Sequence, residues 1–115
     1  MLKSLFSEQR KYLDHFFDQL DQEKANAFLQ ACLDCKGLLL LTGVGKSGII
    51  GEKIAMTLVS TGTRALFLPP GNLLHGDLGV MTPDDLFLMI SKSGETEDLL
   101  SLTPFVRKKG AKLLY

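Results

Sequence analysis

Two apolar runs, residues 38–42 and 86–90, each give way to a small, hydroxyl-bearing turn and then to a helical pattern. The first run, LLLLT, leads into GVGKSGIIG, and the second, LFLMI, leads into SKSGETEDLL. Runs this apolar fit strands covered by helices on both faces. A third run at 65–68 and a fourth opening at 111–115 keep the rhythm, with helices predicted over 47–60 and 97–109. Pro69-Pro70-Gly71 ends the third run sharply. Strands alternating with helices imply a parallel sheet with right-handed crossovers, a doubly wound α/β domain.

A helical pair precedes that domain. Leu5, Tyr12, Leu13, Phe16, Phe17 and Leu20 recur at helical spacing. Asp21 is placed to cap a second helix running to about Cys35, with Ala25, Phe28, Leu29 and Leu33 on its inner face. The predicted organisation is a helical pair over 1–36 and a ligand-binding domain over 37–115. The helix over 47–60 is expected to bury Ile50, Ile54 and Leu58. Asp84-Asp85, after Thr82-Pro83, reads as a turn into the next strand and nothing more. The chain stops at KLLY inside an apparent strand, which predicts a truncated product.

Composition removes several classes of function. Thirteen basic residues balance thirteen acidic ones, which argues against a nucleic-acid footprint. No apolar run approaches the ~20 residues of a membrane span, and charge interrupts the amino terminus before a signal-peptide core could form. Cys32 and Cys35 form a C-x-x-C near a helix end with no second pair, so inert thiols outweigh redox or zinc chemistry. A cytoplasmic protein is the default expectation.

The turn after residue 42 invites two nucleotide-binding readings. A Walker A loop needs a glycine where this chain has Leu40, so a nucleotide hydrolase is disfavoured. Gly43, Gly45 and Gly48 satisfy G-x-G-x-x-G, but residues 66–70 lack the acid that would hold a ribose. What remains is a tight turn in which Gly43 and Gly45 let a ligand approach the backbone. Ser47 opens the helix with a hydroxyl that can cap or bind, and Lys46 brings a cation to the carboxyl edge, where open α/β sheets bind ligands.

The turn after residue 90 offers Ser91, Ser93 and Thr96, with Lys92 as added charge. One serine suffices for a helix cap, whereas three hydroxyls before a helix make a phosphate site. His75, in HGDLG after the third apolar run, is expected at the same edge. His15 has no such company and reads as a surface or packing residue.

Three blocks in order, LLTGVGKSGIIGEKIAMTLVSTGT, HGDLGVMTPDD and ISKSGETEDLL, resemble the sugar isomerase (SIS) domain. More closely they resemble its arabinose 5-phosphate isomerase branch. The resemblance spans residues 38–115 and implies a three-layer α/β sandwich with a parallel, flavodoxin-like sheet. It further implies binding of phosphosugars, with the S-x-S-G-x-T loop on the phosphate, and interconversion of ribulose 5-phosphate and arabinose 5-phosphate. That step leads toward 3-deoxy-D-manno-octulosonate in lipopolysaccharide or capsule. By position, Lys46 and His75 match the branch's active-site lysine and histidine, and Asp98 stands where a glutamate is usual. Lys92 replaces a usual asparagine and Ile49 a common histidine. Dimers or tetramers are the implied assembly, and a further histidine and a fifth strand would lie beyond residue 115.

Aldose–ketose isomerisation moves a proton between C1 and C2 through a cis-enediol. It needs a base near those carbons, a cation near the carbonyl oxygen and a grip on the remote phosphate. Ser91, Ser93 and Thr96, with Gly45, Ser47 and Lys92, are the expected substrate-binding set. Lys46 would stabilise the oxyanion, and His75 and Asp98 are the candidates for moving the proton. The chemistry requires no metal or organic cofactor. If truncated, the chain alone is expected to bind poorly and catalyse nothing. The rival reading is a phosphosugar sensor, which needs the hydroxyl loop but no lysine and histidine beside it.

Overall fold

The computed structural model describes residues 1–74, 76–92 and 97–114. Contacts divide the chain into two compact units, Met1–Gln30 and Ala31–Tyr115. The first holds α1 (Leu2–Gln19) and most of α2 (Gln22–Leu33). Asp21 caps α2 as its sequence predicts, its carboxylate accepting from the Lys24 N–H at 3.1 Å. The apolar faces of these helices are not buried as expected. No residue of α1 is buried, Phe28, Leu29 and Leu33 are exposed, and the buried residue of α2 is Ala31. Among the described residues no helix is long and apolar enough to cross a membrane.

The second unit is built on four parallel strands in the order β2-β1-β3-β4. They are β1 (Leu39–Gly43), β2 (Ala65–Phe67), β3 (Leu86–Ile90) and β4 (Lys112–Leu114). The two central strands run level, with Leu39 opposite Leu86 and Gly43 opposite Ile90. Both carry nearly unbroken burial, the signature of a sheet covered on both faces.

Strand alternation divides the core in two. Leu40, Phe87 and Met89 face Met81 and the helices α5 (Glu97–Leu100) and α6 (Thr103–Lys108) through Leu99, Leu102 and Val106. Leu39, Leu41, Leu86 and Leu88 face the other way, toward Ala31 and Ala55 of α3 (Lys46–Ser60). The result is a helix–sheet–helix α/β sandwich.

Three local expectations are corrected. First, α3 buries Gly48, Gly51 and Ala55, while Ile50 and Ile54 stay exposed. A Cβ on Gly51 would lie 3.2 Å from the Ile90 side chain and 3.3 Å from Phe67, so small residues let this helix press onto the sheet. Second, the single helix expected over 97–109 is two short helices. Pro104 lacks the N–H that a continuous helix would use, and the chain turns before it. Third, the chain between β2 and β3 is not all loop, since it forms α4 (Pro70–Leu74) and a 3-10 turn at Asp77–Val80.

Asp85 is far more than a turn residue. It is buried, its Oδ1 accepts from the Leu38 N–H and its Oδ2 from the Thr82 N–H, both at 2.8 Å. Gly37 donates its N–H to the Asp84 carbonyl at 3.0 Å, and the Asp85 carboxylate occupies the space a Gly37 side chain would need. Cys35 adds Sγ contacts to the Asp84 and Leu38 carbonyl oxygens at 3.5 and 3.7 Å. This cluster ties the start of β1 to the approach to β3.

Candidate functional site at the carboxyl edge

The site follows from how β1 and β3 end. They are neighbours, and Gly43 lies opposite Ile90, so the two look-alike turns leave the sheet from adjacent strand ends. From there the chain goes opposite ways. β1 continues through α3 to β2 on one side, and β3 continues through α5 and α6 to β4 on the other. The ends of strands whose connections diverge in this way are the usual ligand position in such sheets.

In the first turn, a Cβ on Gly43 would lie 2.9 Å from the Gly48 nitrogen, and one on Gly48 would lie 2.6 Å from the Gly43 oxygen. These glycines let the strand end and the helix start touch. Gly45 is the N-cap of α3 with φ 61°, a left-handed conformation that favours glycine, and a Cβ there would meet open space. Ser47 is therefore the second helical residue rather than the cap, and it is half-buried. Lys46 begins the helix and is exposed. The backbone N–H groups of this first turn have no helical acceptors, and with Lys46 they give the edge a positive character.

In the second turn, Ser91 is half-buried and Lys92 is exposed, directly after the buried end of β3. The helix that follows is a single turn, Glu97–Leu100, so the macrodipole contribution expected from a long helix is small. The backbone of Asp98 lies in that turn. His75, Ser93 and Thr96 fall outside the described residues. The structure thus places Gly45, Lys46, Ser47, Ser91 and Lys92 at the ends of the two central strands.

A cleft of about 400 Å³ also opens at the end of β2, between Leu66 and Leu68 on one side and Gly76, Gly79 and Val80 on the other. A cleft of about 510 Å³ on the outer face of α3 is lined by one helix alone, from Ile49 to Ser60. The chemistry points to the strand ends instead. Among the described residues no group of three or more His, Cys, Asp or Glu is placed to hold a metal ion. At the opposite edge, burial raises the Cys32 thiol pKa and the neighbouring Cys35 adds to the shift.

Sequence reasoning passed over Thr42. It closes a run read as wholly apolar, and the one hydroxyl in that run was the available signal. The residue is fully buried.

The fold defines an α/β protein whose two central strands end side by side, with Lys46 and Lys92 exposed just beyond them. Residues 33–115 match the SIS domain, and the chain belongs to that family. It is 41% identical to arabinose 5-phosphate isomerase KpsF of Escherichia coli O6:H1 (strain CFT073), over 98% of this chain and 35% of the relative. It is 46% identical to arabinose 5-phosphate isomerase KdsD of Yersinia pestis, over 84% of this chain and 30% of that one. Among solved structures, Escherichia coli CFT073 c3406 in complex with arabinose 5-phosphate superposes with a TM-score of 0.84 at 38% identity. The match covers 97% of this chain and 59% of that one. The chain therefore spans about a third of the curated relatives it matches.

Proposed function

We propose that this chain carries the phosphosugar site of an aldose–ketose isomerase that interconverts D-ribulose 5-phosphate and D-arabinose 5-phosphate. The observation that carries the reading is the pairing of two lysine- and serine-bearing turns at the adjacent ends of β1 and β3. The names of the relatives supply the sugar.

Ser91, Ser93 and Thr96 hold the phosphate, with Gly45, Ser47 and Lys92 completing the binding surface. A hydrogen bond to such a charged group contributes roughly 1.5–3 kcal/mol, which anchors the reacting end of the sugar beside the first turn. Lys46 stabilises the negative charge that grows on the carbonyl oxygen as the C2 or C1 proton leaves. His75 and Asp98 share the proton transfer between C1 and C2 through the cis-enediol. Self-association into a dimer or tetramer belongs to the same proposal, supported by the apolar side chains that α3 leaves exposed, Ile49, Ile50 and Met56 among them.

The test is conversion of ribulose 5-phosphate, with the pentose phosphates resolved chromatographically. It is run on this chain and on a chimera in which it replaces the matching segment of E. coli KpsF. Arabinose 5-phosphate formation by the chimera, abolished by Lys46→Met, is the expected result. Tight binding of the sugar phosphates with no conversion in either protein would identify a sensor instead.

A further inference from the structure

Thr42 is fully buried, yet its hydroxyl has no hydrogen-bond partner among the described residues. Alternation along β1 puts it on the face of Leu40, and its register partner is Met89. Leu40 and Met89 belong to the cluster formed with Met81, Leu99 and Leu102, so the hydroxyl is set against hydrocarbon. Valine would fill such a place with almost the same shape and nothing to desolvate. Packing therefore does not account for the hydroxyl, and an orphaned buried polar group calls for a reason.

Its location supplies one. Thr42 immediately precedes Gly43, where the first turn begins. It lies on the face covered by α5, into which the second turn leads. It thus lies where the two chains diverge from adjacent strand ends. A ligand shifts a protein only through free energy that differs between the bound and free forms, and an unmade hydrogen bond is such a difference. Resting on the phosphosugar reading above, we propose that Thr42 is a positioning residue whose hydroxyl takes its hydrogen-bond partner in the sugar-phosphate complex, so that the β1 end and its turn are fixed when the sugar binds.

The test compares the 115-residue chain, and the KpsF chimera that carries it, with their Thr42→Val and Thr42→Ser variants. Arabinose 5-phosphate affinity is measured by calorimetry and thermal unfolding is followed with and without the sugar. Thr42→Val should unfold at the same or a higher temperature than the parent without sugar, yet bind about tenfold more weakly, the equivalent of one typical hydrogen bond. It should also lose most of the sugar-induced rise in Tm. Thr42→Ser should bind within about threefold of the parent, because it keeps the hydroxyl. If the parent binds and Thr42→Val binds equally well, the inference falls while the functional reading stands. Equal weakening of both variants would show that shape, not the hydroxyl, matters, and would also overturn it. Failure of both the parent chain and the KpsF chimera to bind any pentose phosphate would remove the functional reading and the inference together.

Discussion

At the amino edge of the sheet the Asp85 carboxylate satisfies two backbone N–H groups, and Gly37 and Cys35 pack and bond against the same turn. At the carboxyl edge of the same strands, two turns diverge, lysines stand exposed, and a buried hydroxyl goes unpaired among the described residues. Both edges are made of short polar segments joined to apolar strands. The amino edge resolves its polar groups internally, which fixes the register of β1 against β3. The carboxyl edge exposes Lys46 and Lys92 and leaves the Thr42 hydroxyl unpaired among the described residues, which suits a ligand. Substitutions at the first edge should therefore damage stability and spare binding, and substitutions at the second should do the reverse.

The largest effect is expected at Lys46. In the KpsF chimera, Lys46→Met should lower kcat by about 10²–10³-fold, as loss of one oxyanion donor does. Affinity for arabinose 5-phosphate should change much less. An unchanged kcat would reduce Lys46 to a surface residue.

Ser91→Ala comes next. Loss of one hydrogen bond to a phosphate should weaken arabinose 5-phosphate binding by roughly 10–100-fold. Calorimetry should reveal that loss. A drop in Tm with affinity intact would move Ser91 into the structural class.

Asp85→Ala should show the opposite pattern. It leaves the Leu38 and Thr82 N–H groups without their acceptor and opens a void, destabilising the unit by roughly 1–3 kcal/mol or somewhat more. Urea unfolding measures this, and affinity for the sugar measured well below the transition should be retained. Weaker binding without lost stability would break the distinction between the edges.

The smallest effect concerns Cys32. Burial and the adjacent Cys35 raise its pKa above the usual thiol value, so the thiolate is scarcer at neutral pH. Alkylation by iodoacetamide should be slower than for a free thiol at pH 7 and should accelerate as pH rises through the raised pKa. Faster alkylation than a free thiol at pH 7 would point to an activated cysteine.

The strands and their order of connection were legible because LLLL, ALF and LFLMI are apolar runs too short for helices and are bounded by turn residues. The two turns stand out in the sequence because both carry Lys-Ser-Gly after such a run, and the structure describes the first of them and Ser91 and Lys92 of the second. What escaped depends on neighbours distant in sequence. Ile50 and Ile54 look like a core face, but α3 approaches Phe67 and Ile90 so closely that Gly48, Gly51 and Ala55 lie beneath it, with Leu58 packed on the same core further along. Asp85 looks like half of a turn, and its partner at Leu38 is 47 residues away. Pro104, by contrast, was a local signal that a helix over 97–109 had to break, and it was underweighted.

The contrast between the edges can be read residue by residue from backbone amide shifts during a titration with arabinose 5-phosphate. Gly45, Lys46, Ser47, Ser91 and Lys92 should shift along a saturable curve, with Gly37, Leu38 and Asp85 unmoved. Unphosphorylated arabinose should leave the Ser91 and Lys92 signals in place at the same concentrations. Saturable shifts centred on Gly37 and Asp85, or none at either edge, would contradict a phosphosugar site at the ends of β1 and β3.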